Sequence, residues 1–267
     1  MRWSVSMPFP VFRSLPAALL ALGLSFHAAC AATPERPTII LVHGAWVSGD
    51  GWRPVYERLV KHGYDVVVAR PPLTSFDEDV ASVRRTLARR AGPIVLVGHC
   101  YGGAIITNVG NDPKVKALVY IAGHAPDEGE TELANDTKYV NPASHAGSDV
   151  RKTADGFLYF EPSAYVEDLA ADLDPATARF EAHAQVPTAL GVFTTPAAHP
   201  AWKDKPSWYM VAGDDRLLSP ELERMYARRA RSVTVEVPGA SHSVYQSRPD
   251  EVVKLIEQAA RAIAPAG

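Results

Sequence analysis

The stretch "VLVGHCYGGAIITNVG", Val95 to Gly110, decides the reading of this chain. A short run of apolar, mostly β-branched residues leads into Gly98-His99-Cys100-Tyr101-Gly102, and a helix-like segment follows at once. Such a strand-to-helix turn holds its central residue in a strained backbone conformation and leaves no room for side chains at Gly98, Gly102 and Gly103. The pattern is Gly-x-nucleophile-x-Gly, with a cysteine where a serine usually stands. The turn aims Cys100 at a helix N-terminus, whose positive dipole end favours an anionic nucleophile.

Outward from this turn, apolar runs alternate with amphipathic segments in a β-α-β-α order, which predicts an α/β fold with a mostly parallel sheet flanked by helices. "TIILVHG" from Thr38, "YDVVVAR" from Tyr64, "PIVLVG" from Pro93 and "VKALVYIAG" from Val115 read as strands. Their Val, Ile and Leu content suits strands buried on both faces. "GWRPVYERLVKHG" reads as a helix with Val55, Leu59 and Val60 on its apolar face. A second helix follows Ser75, a natural cap ahead of acidic first-turn residues. From about residue 124 to 202 the chain is richer in Pro, Asp, Thr and Ala and gives no strong strand signal, so a cap insertion is expected there. Alternation resumes with the strand "SWYMVAG", a helix near "PELERMYARRA", the strand "SVTVEVPG" and the closing helix "PDEVVKLIEQAARAI".

The first 31 residues read as a secretory signal. Arg2 and Arg13 precede the apolar run "LPAALLALGLSF", and the small-residue run Ala28-Ala29-Cys30-Ala31 places cleavage after Ala31. The apolar run is too short for a comfortable membrane span. An exported, periplasmic or secreted protein is expected, with one domain over residues 32–267; a membrane anchor or lipoprotein processing at Cys30 are the alternatives. Of the two cysteines only Cys100 then survives, so it forms no internal disulfide. A net charge of −3 and dispersed Lys and Arg provide no basic stripe for nucleic acid. Nothing in the sequence sets an oligomeric state.

Ligands of open parallel sheets sit at the carboxyl ends of strands, so the residues just past each strand carry the chemistry. There lie His43-Gly44-Ala45-Trp46, then Cys100, then Asp214-Asp215, and finally His242 in "PGASHSVYQSRP". With "LVHGAW", "LVGHCYGG", "LVYIAGHAPDEGE", "GDDRLLSPEL" and "VPGASHSVYQSRPDEV" the chain past Pro37 resembles the α/β-hydrolase superfamily, in the branch of small esterases related to plant methylesterases and hydroxynitrile lyases. Its cysteine departs from the serine of that branch and is similar to the GxCxGG elbow of dienelactone hydrolases. The resemblance implies a Cys100-His242-Asp215 triad, with Asp215 preferred over Asp214 because it precedes Arg216, and an oxyanion hole made by the backbone N–H groups of Ala45 and Tyr101. It implies a hydrolase of small carboxylic esters, thioesters or lactones acting through an acyl-enzyme.

Two other functions remain open at this level. A lyase of the hydroxynitrile type would call on an extra lysine, for which Lys203 and Lys205 are candidates, and a non-catalytic binder would use the same pocket. Trp46 and His124 are candidate substrate contacts, and Trp52, Phe157, Tyr159, Phe160, Phe180 and Trp202 are further aromatics for an apolar pocket or the cap's own core. His43 and His99 read as structural ties between backbone groups. No metal-ligand spacing or phosphate-binding glycine loop occurs, so neither metal nor cofactor is expected.

Overall fold

The chain divides into two units, Met1–Thr33 and Pro34–Gly267. The computed structural model describes residue 1 and residues 36–264; the predicted signal segment and cleavage site lie outside the described residues. Six strands form one parallel sheet in the order β2-β1-β3-β4-β8-β9. These are β1 (Thr38–Val42), β2 (Val66–Ala69), β3 (Ile94–Cys100), β4 (Val115–Gly123), β8 (Ser207–Ala212) and β9 (Val233–Val237). Period-two alternation explains why the central strands are apolar throughout: Val95 and Val97 join the core on one face while Ile94 and Leu96 join the core on the other. Burying each such side chain contributes about 1.5–3 kcal/mol.

Helices α1 (Arg53–Lys61), α2 (Phe76–Ala88) and α3 (Tyr101–Val109) follow the first three strands of the sheet in chain order, and α9 (Pro220–Arg229) and α11 (Pro249–Ala262) follow β8 and β9. Ser75 caps α2 by accepting the Glu78 N–H, as its position predicts. On α1, Val55 and Leu59 are buried, but Val60 is exposed, because the apolar stripe that packs on α11 is narrower than the expected face.

Residues 124–206 connect β4 to β8. They contain helices α4 (Glu132–Lys138), α5 (Ala146–Asp149), α6 (Pro162–Asp168), α7 (Pro175–Ala184) and α8 (Gly191–Thr194) and, against expectation, a three-stranded antiparallel sheet of β5 (Val150–Lys152), β6 (Phe157–Phe160) and β7 (Thr188–Ala189). These strands are two to four residues long, so each depends on its partners rather than on a local pattern. A single-turn helix α10 (Val244–Ser247) leads into α11. Among the described residues no helix is long and apolar enough to cross a membrane.

Sheet order also locates the site. β2 lies on one side of β1 and β3 on the other, so the chain reverses direction between β1 and β3. The crevice past the carboxyl ends of these two strands is where an open α/β sheet receives a ligand.

Candidate active site

Cys100 closes β3 and caps α3 with φ 52° and ψ −127°, a conformation that only a tight turn enforces for a non-glycine residue. The glycines around it are there for space. A Cβ on Gly98 would stand 2.5 Å from the Gly102 carbonyl oxygen, and one on Gly102 would stand 2.5 Å from the Val42 carbonyl oxygen. At Gly44 a Cβ would come within 2.5 Å of the Cys100 Cβ, so the backbone after β1 lies directly against Cys100. Tyr101, as the first residue of α3, keeps its N–H outside the helical ladder. Its hydroxyl donates to Asp79 Oδ2 at 2.7 Å, while Asp79 Oδ1 accepts the Leu73 N–H.

His242 lies in the loop after β9, fully buried, with Nδ1 2.6 Å from Asp215 Oδ2. A carboxylate can only accept, so Nδ1 carries the proton. Asp215 is 2% exposed, and its Oδ1 accepts the N–H groups of Leu217 and Leu218 at 2.8 Å each. Burial alone would lower the affinity of His242 for a second proton, but the charges of Asp215 and Cys100 outweigh it and hold the ring's pKa well above the usual histidine value. Nε2 is buried without a completed hydrogen bond of its own. Asp214 is exposed and offers only its backbone N–H, to the Ala240 carbonyl.

His43 and His99 act as ties. Burial first of all keeps both rings neutral, His43 pushed down to about 4 and His99 well below its usual value. His99 Nε2 donates to the His242 carbonyl at 2.9 Å and its ring packs on Tyr245 at 4.2 Å, which steadies the loop that carries His242. That loop is also anchored to residues 124–206 through the Ser243 N–H, which donates to the Leu169 carbonyl.

A cavity of about 400 Å³ opens between the sheet and residues 124–206. Cys100, His242, His124 and Trp46 reach it, and its walls are largely apolar, with Leu158 and Phe193 among them. Trp46 is held by a hydrogen bond from Nε1 to the Leu158 carbonyl and by stacking on Phe193 at 4.9 Å. Another depression, bordered by Arg36, His62 and Glu257, lies at the opposite ends of the strands and holds no nucleophile. Of the other aromatics, Trp52 packs on Tyr245 in the core of the far sheet face, Phe180 is 70% exposed, and Trp202 donates to the Pro126 carbonyl; none of them borders the cavity. Lys203 is engaged by Asp127 at 2.5 Å, and neither it nor Lys205 borders the cavity. Among the described residues no group of His, Cys, Asp and Glu side chains converges as a metal site.

Sequence reasoning missed three acids here. Glu132 and Asp136 of α4 flank His124, and Glu223 of α9 is buried beside Asp215 with Oε2 accepting the Ala212 N–H at 3.1 Å. Burial foremost, and then the Asp215 charge, push the Glu223 carboxyl well above the usual carboxylate range. In the sequence these acids look like ordinary surface residues near helix starts. Only the packing of α4 and α9 against the strand ends removes Glu132, Glu223 and one Asp136 oxygen from water.

A pyrethroid hydrolase from Sphingobium faniae JZ-2 has the same fold, with 25% identity, a TM-score of 0.71 and coverage of 85% of this chain and 98% of that one. In sequence the chain is 24% identical to the alpha/beta hydrolase nvfD of Aspergillus novofumigatus over 84% of its own length and 97% of the relative's. It is 25% identical to a pimeloyl-[acyl-carrier protein] methyl ester esterase of Xanthomonas campestris pv. campestris, over 83% and 94%. Residues 39–255, which run from β1 through the His242 loop into α11, match the model of the alpha/beta hydrolase family. With its parallel sheet, its strained turn after β3 and then its strand-end acid and histidine in that chain order, this protein belongs to the alpha/beta hydrolase family.

Proposed function

We propose that this protein is an esterase that hydrolyses small carboxylic esters, thioesters or lactones through Cys100, His242 and Asp215. The observation that carries this reading is the buried His242–Asp215 pair, 2.6 Å apart, opening with Cys100 onto a single largely apolar cavity. The full-length similarity to an esterase and to a pyrethroid hydrolase supports it.

His242 Nε2 takes the Cys100 thiol proton, and Sγ attacks the ester carbonyl carbon. The carbonyl oxygen becomes an oxyanion that accepts from the backbone N–H groups of Ala45 and Tyr101. As the tetrahedral species collapses, His242 gives its proton to the leaving alcohol or thiol, and a thioester to Cys100 remains. Water then attacks this acyl-enzyme, losing a proton to His242, and collapse expels Sγ, which recovers that proton, with release of the carboxylic acid. Asp215 holds the tautomer throughout. Ester plus water thus yields acid plus alcohol with no change in the enzyme.

Mass spectrometry of the protein mixed with a panel of p-nitrophenyl esters tests the reading. An acyl adduct on Cys100, a burst and steady turnover are expected, all absent from Cys100→Ala. A lyase would turn over cyanohydrins without an adduct, and a binder would show affinity alone. The N-terminal pattern further supports export, with a mature chain starting near Ala32; N-terminal sequencing of protein from its own host checks this, and a retained Met1 refutes it.

A further inference from the structure

Three side chains at the cavity have no role in the reaction just described. Helix α4 starts at Thr131, whose hydroxyl accepts the Ala134 N–H, and its residues Glu132 and Asp136 stand one turn apart on one face. The His124 ring lies between them, with Nε2 3.4 Å from Glu132 Oε2 and Nδ1 4.0 Å from Asp136 Oδ1. Glu132 is sealed in: its side chain is 4% exposed, and neither carboxyl oxygen has a hydrogen-bond partner. Asp136 borders the cavity with Cys100 and His242 and keeps 41% of its side-chain surface open, yet its Oδ1 is buried and unpartnered.

A carboxyl oxygen buried without a partner disfavours the ionised form, and the group relieves this by holding its proton. Burial, reinforced by Cys100 and Asp136, raises Glu132 well above the carboxylate range. Burial also raises Asp136 to about 7; the His242 charge opposes this and the Asp215 charge adds to it. His124 is pushed down to about 3, by burial and then by His242, and supplies no compensating positive charge. Tyr226 of α9, whose hydroxyl faces His124 Nδ1 at 3.5 Å, and Tyr139, which lines the same cavity, are further titratable neighbours. Helix α8, which packs on α4, carries no titratable residue.

We propose that Asp136, backed by His124 and Glu132, is a hydrogen-bond-donating specificity residue that selects esters carrying a neutral acceptor oxygen, such as an ether or a second carbonyl, beyond the scissile carbonyl. Leu133, Val140, Leu158 and Leu190 line the same cavity, so the Asp136 carboxyl is a polar handle beside apolar walls, with Thr137, Asn141 and Ser219 among the other polar groups there. A substrate that lacks the acceptor forgoes the hydrogen bond that Asp136 offers on the cavity side, and that difference gives discrimination. This inference rests on the ester-hydrolase reading.

The test compares p-nitrophenyl pentanoate with its isosteres p-nitrophenyl ethoxyacetate and p-nitrophenyl 3-methoxypropanoate, each kcat/KM divided by the spontaneous hydrolysis rate. At least one ether should be preferred by about tenfold at pH 6, mainly through KM. The preference should fall towards unity by pH 8.5, because an Asp136 that has lost its proton can no longer donate. Titration of Cys100 and His242 is common to the three substrates and cancels in the ratio. Asp136→Asn, whose amide donates at every pH, should keep the preference and lose its pH dependence, and Asp136→Leu should abolish it. A ratio near one for both ethers, a preference unchanged in Asp136→Leu, or one that grows with pH overturns the proposal. If all three esters turn over with a flat ratio, this inference alone fails. If none turns over, or Cys100→Ala is as active as the native protein, the esterase reading fails and takes this inference with it.

Discussion

Asp215→Asn removes a charge while keeping the shape of the side chain. In the native site Oδ1 accepts two backbone N–H groups, from Leu217 and Leu218, and Oδ2 accepts from His242 Nδ1. The asparagine oxygen can serve only one side of this arrangement. Leu217 and Leu218 fix it at the Oδ1 position, which turns the amide NH2 towards His242. Nδ1 must then accept, the proton moves to Nε2, and the ring can no longer take a proton from Cys100. The lost charge adds to this. Two unit charges about 4 Å apart attract by about 4 kcal/mol at an effective dielectric of about 20, and both side chains are almost fully buried, so solvent does little to screen them. That energy alone corresponds to about a thousandfold in rate, and with the wrong tautomer the loss reaches about 10⁴-fold in kcat. Single-turnover acylation with a p-nitrophenyl ester, followed at 405 nm as nitrophenolate release [~, P259], isolates the step concerned. Asp214→Asn, at an exposed side chain, is the control and should stay within about twofold. A loss below about tenfold for Asp215→Asn, or an equal loss in the control, would refute the reasoning.

Three further outcomes are expected. Gly102→Val forces a side chain against the Val42 and His43 carbonyl oxygens and should abolish acylation while lowering the melting temperature, as a thermal melt with an active-site titration would reveal. Trp46→Ala empties part of the cavity wall and removes the contacts to Leu158, Phe193 and Phe160, so urea denaturation should give a loss of about 3–5 kcal/mol together with a raised KM. Glu223, its carboxyl pushed up by burial and by Asp215, should be replaceable by Gln without loss of stability at pH 7, whereas Glu223→Ala leaves the Ala212 N–H unpaired and should cost about 1–3 kcal/mol. The sign also fixes the pH trend: a carboxyl whose folded pKa is raised destabilises the native state once pH passes its unfolded value, so Glu223→Gln should gain on the native protein from pH 5 to pH 8 [~, P129].

Much of this was legible in the amino-acid order alone, and the reason is local. The strands around Ile39–Val42 and Ile94–Val97 are apolar on both faces because both faces are covered, and a covered parallel strand must read that way. Gly98, Gly102 and Gly103 announce the turn because no other residue fits where backbone meets backbone. The site's order along the chain follows from the rule that parallel sheets place their chemistry at the carboxyl ends of strands. Contacts between distant segments decided the rest. Asp214 and Asp215 are adjacent and chemically identical, and only the turn after β8, pinned where the Asp214 N–H meets the Ala240 carbonyl, directs one towards His242 and the other towards solvent. The sheet β5-β6-β7 has no local signature because strands of two to four residues exist only through their partners. Glu132 and Asp136 carry the pattern of a solvated helix start, and what removes Glu132 and one Asp136 oxygen from water is the docking of α4 beside His124, more than twenty residues past the elbow in sequence but hydrogen-bonded through its own N–H to the Cys100 carbonyl [~, P115].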